Sequence, residues 1–240
     1  MNSKISSIVA AAVLAPAAMT FGDSVIIDGL GGPLVLESAG MNVLNGEAGE
    51  LLAEDLDVLH AAIQADGVVT DRAVTFVLLN TGAGLSFMSL IDDSLRGGKD
   101  PATTLLDMAS TGPSSLDYYI NDAADLDGVF DPFGVTQTVS ASFSWRQNYA
   151  SDGFAWANLQ EGDSATFNWT LVSGTGLATS TPFRFVTWNG ESWEMIATGD
   201  FSADDQFAFS FTVVPLPAAL LMGAAGLGGL AAMRRRRSAR

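Results

Sequence analysis

The chain has 240 residues, of which 48% are hydrophobic and 16% are charged, so it has enough apolar side chains for a sizeable core. Its formal net charge of -16 at pH 7 argues against nucleic acid as a partner, because proteins that bind phosphate backbones concentrate Lys and Arg. The absence of Cys excludes disulfides, thiolate metal sites and Cys nucleophiles. The single His, His60, leaves no second imidazole for a zinc pair or a proton relay.

The charges are distributed unevenly along the chain. All 27 acidic residues lie between Asp23 and Asp205, a region with only five basic residues and therefore a net charge of -22. We expect this region to stay soluble by self-repulsion, to repel anionic lipid and to attract cations such as calcium.

Residues 1–22 predict a secretory signal peptide. Lys4 precedes the apolar run Ile5–Ala15, and small residues follow in Ala15–Ala18. This is the three-part plan of an export signal, with cleavage expected between about Ala17 and Gly22. The apolar run is too short to span a bilayer, which makes an uncleaved anchor the weaker interpretation.

Residues 213–240 predict a membrane-spanning stop-transfer tail. Sixteen uncharged residues, Ala218–Met233, are followed by an Arg cluster made of Arg234, Arg235, Arg236 and Arg237. The positive-inside rule keeps such a cluster in the cytoplasm and holds the preceding part of the chain outside.

One motif in this tail carries a specific resemblance. The motif consists of Val214, Pro215, Leu216, Pro217 and Ala218, and an apolar stretch with Gly226–Gly229 and the Arg cluster follow it. The combination resembles the VPLPA variant of the PEP-CTERM sorting signal. That resemblance covers Val214–Arg240 only, and it implies processing by an exosortase, a membrane-embedded enzyme of Gram-negative bacteria that usually make exopolysaccharide. An ordinary single-pass anchor is the alternative, and it predicts the same topology without cleavage.

The middle of the chain is rich in predicted strands. Apolar and polar residues alternate with a period of two in the carboxyl half, as in Ala165–Leu171 and Phe207–Val213. Earlier strands are predicted at Asp23–Asp28, Pro33–Glu37, Ala73–Leu79 and Leu85–Ile91, and Ser110–Ser115 is predicted to be a loop.

One segment has a helical period. Leu52, Leu56, Leu59 and Ile63 are spaced by four, three and four residues, so Glu47–Ala65 predicts an amphipathic helix that covers a sheet. The predicted fold class is mainly β: an antiparallel, jelly-roll-like β-sandwich with one helix, formed by residues 23–212 and called the exodomain below. A helix-bearing amino half joined near Gly134 to a carboxyl sandwich is the alternative.

A group of acidic residues forms a candidate calcium site. It contains Asp122, Asp125, Asp127 and Asp131. The segment fails as an EF-hand, because Ala123 and Gly134 occupy the first and twelfth ligand positions, but a different calcium loop or a plain solvated loop is compatible with it. Calcium is the only cofactor that the sequence suggests.

Aromatic residues supply a candidate glycan-binding site. Trp188 and Trp193 flank Asn189-Gly190, which predicts a two-residue hairpin turn. Both rings are then expected on one face near the hairpin tip, either exposed to a sugar or buried in the core, and burial is favoured. Trp156 and Trp169 are expected in the core because they alternate in phase with Phe154 and Phe167.

No catalytic constellation is evident in the sequence. It lacks a G-x-S-x-G motif, and His60 lies beside the apolar stripe of the predicted helix, where a lone His is usually a packing or surface residue. We therefore expect a non-enzymatic protein. The resemblance of the tail implies a protein of the cell envelope, cell surface or extracellular matrix, structural or adhesive and associated with exopolysaccharide. A glycan-binding module at the cell surface is the second hypothesis.

Overall fold

The computed structural model describes residues 24–44, 49–70, 73–92, 103–121, 125–130, 135–146, 152–174, 180–202 and 206–214. Its first eight strands are β1 (Ser24–Asp28), β2 (Leu34–Glu37), β3 (Ala39–Gly40), β4 (Gly49–Glu50), β5 (Ala73–Thr81), β6 (Gly84–Asp92), β7 (Thr103–Pro113) and β8 (Asp117–Asn121). The others are β9 (Asp125–Phe130), β10 (Thr136–Arg146), β11 (Asp152–Ala157), β12 (Ser164–Gly174), β13 (Ser180–Trp188), β14 (Trp193–Ser202) and β15 (Gln206–Val214), and α1 (Ala53–Ala65) is the helix.

Both predicted terminal segments lie largely outside the described residues. The signal peptide, 1–22, and the tail after Val214 fall there completely. Within the described ranges, no helix has the length and apolar character needed to cross a membrane.

The first sheet has seven strands in the order β2-β1-β15-β12-β7-β10-β9, and every neighbouring pair is antiparallel. Its central strands follow the alternating pattern of the sequence, with every second residue buried. One face of this sheet therefore lies against the core and the other faces solvent.

The second sheet has eight strands, in the order β14-β13-β5-β6-β11-β8-β4, with β3 beside β5. The prediction of purely antiparallel sheets is wrong here, because β13, β3 and β4 each pair with a neighbour in parallel. Ala73–Leu79 in β5 is a continuous buried run, as expected for a strand covered on both faces.

The first core lies between the two sheets and is dominated by aromatic rings. Phe87 of β6 stacks on Phe211 of β15 with ring centroids 4.6 Å apart, and Phe76 of β5 meets Phe209 edge-on at 4.8 Å. Trp156 and Trp169 are fully buried in this core, which confirms their predicted position. The two sheets therefore form a β-sandwich.

A second core lies between α1 and the outer face of the second sheet. The buried side of the helix contributes Leu56, Leu59 and Ile63, as the helical spacing predicts. Gly153 in β11 allows this close approach, because a Cβ atom there would lie 2.8 Å from Leu56 and 2.9 Å from Leu51.

The predicted start of the helix is wrong. The helix begins at Ala53 and not at Glu47, because Gly49 and Glu50 instead form β4 beside Tyr119 and Ile120 of β8. Leu52 is the residue before the helix and is 39% exposed. The four predicted early strands are confirmed as β1, β2, β5 and β6.

The predicted loop Ser110–Ser115 is also wrong for its first four residues, since β7 continues to Pro113. Ser110 and Thr111 of this segment belong to β7, which lies between β12 and β10 in the first sheet. The buried Ser110 hydroxyl accepts a hydrogen bond from Trp156 Nε1 at 2.7 Å and donates one to the Thr166 carbonyl at 2.8 Å. This relay joins the two sheets through the core.

We expect Ser110→Ala to lower the free energy of unfolding by about 1–3 kcal/mol, because it leaves the buried indole N–H of Trp156 without its acceptor. Ser140→Ala, on the solvent side of β10, is the control and is expected to change stability by less than about 0.5 kcal/mol. Urea denaturation of both variants measures the difference. Equal unfolding midpoints would show that the relay does not contribute to stability.

Candidate functional site

The solvent side of the seven-stranded sheet forms a surface of mostly polar side chains, which we call the polar face. It is defined by Asp107, Ala109 and Thr111 of β7, Thr138, Ser140 and Ser142 of β10, Thr166, Asn168 and Thr170 of β12, and Gln206, Ala208, Ser210 and Thr212 of β15. These positions point away from the core because their strand neighbours, such as Phe167 and Phe209, point into it.

The register brings polar residues of four strands into one row. Gln206 lies opposite Thr170, Thr170 opposite Asp107, and Asp107 opposite Ser142. The Ser142 hydroxyl donates a hydrogen bond to Asp107 Oδ1 at 2.5 Å. Neighbouring strands are about 4.8 Å apart, so the row presents closely spaced hydrogen-bonding groups.

A shallow depression of about 440 Å³ lies over this row. Asn168 is exposed there. The hydrogen-bonding side chains that line the depression are those of Asp107, Ser140, Ser142, Asn168, Thr170 and Gln206. Carboxylate, amide and hydroxyl groups match the donors and acceptors of a sugar. The depression is open to solvent, so its chemistry suits an extended polar ligand.

The Trp188 and Trp193 pair lies at the tip of the β13–β14 hairpin, but the predicted turn is wrong. The two Trp residues are direct partners across the hairpin, and a four-residue loop, 189–192, joins them. Asn189 organises this loop, since its Oδ1 atom accepts hydrogen bonds from the backbone N–H groups of Glu191 and Ser192 at 2.9 and 2.8 Å. An Asn side chain that closes a turn in this way replaces the expected two-residue geometry.

Both Trp rings do lie on one face, as predicted, with centroids 5.5 Å apart in an edge-to-face arrangement. That face is the one that α1 covers. Trp193 is only 4% exposed within the second core, and its backbone N–H donates to Asp66 Oδ2 at the end of the helix at 2.8 Å. Trp188 is half-buried at the margin of the same core. Trp193 therefore has the buried position that the sequence favoured, and it offers no open ring to a sugar.

The candidate calcium segment is described only in part. Asp125 and Asp127 belong to β9, a strand at the edge of the first sheet, with Ser142 and Ser140 as their register partners, so this part of the predicted loop is a strand. Asp122 and Asp131 lie outside the described residues. In the part of the chain that the structure describes, no three potential metal ligands form a group. Calcium binding by the four residues stays a prediction.

His60 lies on the buried side of α1, as expected of a packing residue. It is 7% exposed, and its Nδ1 atom lies 2.8 Å from the hydroxyl oxygen of Thr70, which also accepts a hydrogen bond from Gln64 Nε2. These contacts give His60 a structural role.

Tyr119 of β8 is a separate buried group. Burial and then the carboxylate of Asp117 raise the pKa of its phenol above the usual value of 10.0.

The predicted sorting motif begins inside the described fold. Val214 is the last residue of β15 and pairs with Ser24, so the exodomain extends two residues beyond its predicted end. Pro215, Leu216, Pro217 and Ala218 lie outside the described residues, as do the four residues of the Arg cluster.

Sequence reasoning missed the depression on the polar face. Its residues are separated by up to about 100 positions in the chain, and only the register of four strands brings them together. The alternating Ser and Thr residues of β10 and β12 marked solvent-facing positions, but this pattern does not reveal which strands are neighbours.

Comparison of the chain with protein-family models, with curated proteins and with solved structures found no match.

Proposed function

We propose that this chain is an exported protein of the cell envelope, cell surface or extracellular matrix of a Gram-negative bacterium. Its exodomain has a structural or adhesive role in association with exopolysaccharide, and its carboxyl-terminal tail is a VPLPA-type signal for an exosortase. The observation that carries this proposal is the position of Val214. Val214, the first residue of the motif, belongs to β15 and pairs with Ser24, so the motif begins at the last described strand of the exodomain.

The exodomain itself is suited to a passive extracellular role. It builds two cores from apolar side chains without any Cys, so its stability does not depend on disulfide formation during export. Its strongly acidic composition favours solubility and opposes binding to anionic lipid. These properties support a non-enzymatic function, in which the polar face and the loops contact components of the extracellular matrix.

The sorting proposal is tested by replacing Pro215 and Pro217 with Ala in the native host. This double variant keeps the apolar stretch and the Arg cluster, so a simple anchor would behave as before. We expect it to accumulate as a full-length membrane protein, whereas wild type loses its tail. Leu220→Val with Leu221→Val is the matched control in the apolar stretch and is expected to be processed. Equal processing of the proline variant and wild type would contradict the proposal.

A glycan-binding module is the second candidate function, and the depression on the polar face is the observation that favours it. The Asn168 side chain is exposed there beside Asp107 and Thr170, so its amide group can donate and accept hydrogen bonds with sugar hydroxyls. In this form of the hypothesis, the polar face replaces the Trp pair as the main sugar-binding surface.

We expect Asn168→Ala to weaken binding of the host exopolysaccharide by about tenfold, the equivalent of about 1.4 kcal/mol, because one or two hydrogen bonds are lost. Asn80→Ala is the matched control, since Asn80 is an exposed strand residue of the other sheet. Affinity is measured by isothermal titration calorimetry, and unchanged melting temperatures verify folding. Equal affinities of the two variants for the exopolysaccharide would show that Asn168 of the polar face does not contribute to binding.

A further inference from the structure

Asp107 of β7 is the one charged residue among those that define the polar face. It is half-buried in the middle of the row that runs from Gln206 to Ser142, with Thr170 and Ser142 as its register partners. Its Oδ1 atom accepts a hydrogen bond from the Ser142 hydroxyl, and no residue of the polar face, as defined above, is basic. Partial burial of a charge is unfavourable unless a counter-charge compensates it, so this carboxylate favours a positively charged ligand group.

A second shallow depression on the same face allows a comparison. It has a volume of about 430 Å³ and is lined by Thr111, Gly112, Pro113, Thr136, Ser164, Ala165, Thr166, Ser210, Phe211 and Thr212. The two depressions are similar in size, but the polar side chains of the second one all carry hydroxyl groups. Both depressions therefore match the hydroxyl groups of a sugar, and only the one that contains Asp107 also matches an ammonium group.

The row around Asp107 also indicates the direction of an extended ligand. Its members belong to four neighbouring strands, β15, β12, β7 and β10, which are about 4.8 Å apart. This step is close to the length of one sugar unit in a linear polysaccharide. Along β7 and β15, by contrast, the next residues on the polar face are Ala109 and Ala208, whose side chains form no hydrogen bonds. A polysaccharide that crosses the strands therefore meets a polar group at each sugar.

We propose that the depression over this row binds a linear polysaccharide with free amino groups, which lies across the strands and places an ammonium group against Asp107. The inference rests on the glycan-binding form of the proposed function and names its ligand class. The net charge of -22 between Asp23 and Asp205 attracts such a polymer at long range and repels polysaccharides rich in carboxylates.

The test uses two ligands that differ in charge, namely oligomers of β-linked glucosamine with free amino groups and the same oligomers after N-acetylation. Isothermal titration calorimetry measures their binding to the protein purified from its native host, in a mildly acidic buffer that keeps the sugar amines protonated. We expect the free-amine oligomer to bind about tenfold more tightly, because a charge-assisted hydrogen bond replaces a neutral contact. Equal affinities would overturn the inference.

Asp107→Asn assigns the preference to one residue. The variant keeps the size of the side chain and an oxygen that can accept from Ser142, but it removes the charge. We expect the preference for the free amine to disappear and the affinity for the N-acetylated oligomer to stay unchanged. Asp200→Asn is the matched control, because Asp200 is an exposed residue of β14 in the second sheet, and it is expected to keep the preference. Unchanged melting temperatures verify folding. A preference that survives in Asp107→Asn would overturn the inference.

The length of the oligomer tests the direction of the bound chain. We expect the affinity for free-amine oligomers to increase up to about four sugars, one for each strand of the row, and then to level off. An affinity that no longer increases beyond the disaccharide would overturn the crossing geometry.

The host exopolysaccharide separates the inference from the glycan-binding function. If the wild-type protein binds this polymer but does not prefer the free amine, the function stands and the inference is overturned. If it binds neither the polymer nor the oligomers, both fail. If it binds the free-amine oligomer through Asp107 but not the host polymer, the inference stands and the proposed association with exopolysaccharide fails.

Discussion

Replacing Trp193 with alanine is expected to lower the free energy of unfolding by about 3–5 kcal/mol, because it leaves a cavity in the second core. Trp193 is 4% exposed, and it closes the core at the point where the end of α1 meets the β13–β14 hairpin. For a domain of this size, each kcal/mol shifts the melting temperature by about 2–4 °C, so the expected decrease is roughly 10 °C.

Trp188→Ala is the matched comparison, since the two rings are hairpin partners and touch edge to face. Trp188 is half-buried, so its loss is expected to cost only about 1–2 kcal/mol. Thermal denaturation followed by circular dichroism measures both variants. If Trp193→Ala keeps the wild-type melting temperature and loses binding to polysaccharide, the pair is a sugar platform and its assignment to the core is wrong.

Phe76→Ala is expected to have an effect of similar size, about 3–5 kcal/mol, in the first core. Phe76 is fully buried and lies at the centre of the aromatic cluster between the sheets. Its ring lies 4.8 Å from the rings of both Phe185 and Phe209, and it also approaches Phe87, Trp169 and Phe207 within 6.1 Å. Truncation therefore removes contacts with both sheets at once.

Val135→Ala is the control for Phe76→Ala, because Val135 is 84% exposed and its truncation is expected to change stability by less than about 0.5 kcal/mol. Denaturant titration gives the free energies of both variants. A loss below about 1 kcal/mol for Phe76→Ala would mean that the packing between the two sheets is not the main source of stability.

The sequence predicted the parts of the fold that depend on local pattern. Alternation identified the inward residues of β12 and β15, and the spacing of Leu56, Leu59 and Ile63 identified the buried side of α1. Such patterns are visible in one sequence because burial of one face selects apolar residues at a fixed period.

The remaining features depend on partners that are distant in sequence. The parallel pairing of β13 with β5 joins segments about 110 residues apart, and the strand at Gly49 and Glu50 exists only because β8 lies beside it. Ser110 looks like a loop residue by composition, yet its hydroxyl satisfies Trp156 from the opposite sheet. Local propensity contains no information about these partners.

The candidate sites also differ in how far local sequence pattern predicts them. The predicted sorting motif is a contiguous string of residues, whereas the pairing of its first residue, Val214, with Ser24 joins two strands that are distant in sequence. The position of the Trp pair depended on one loop: the Asn189 side chain closes a four-residue turn, and α1 covers the face on which both rings lie. The polar face required the complete strand order of the first sheet.

The most direct test of the account is the intact mass of the mature protein isolated from its native host. The proposed function predicts a chain that begins between about residues 18 and 23 and lacks the Arg cluster, because in that proposal a signal peptidase and an exosortase remove the two ends separately. A mature protein that still carries Arg234–Arg240 would contradict the account and leave a simple membrane anchor in its place.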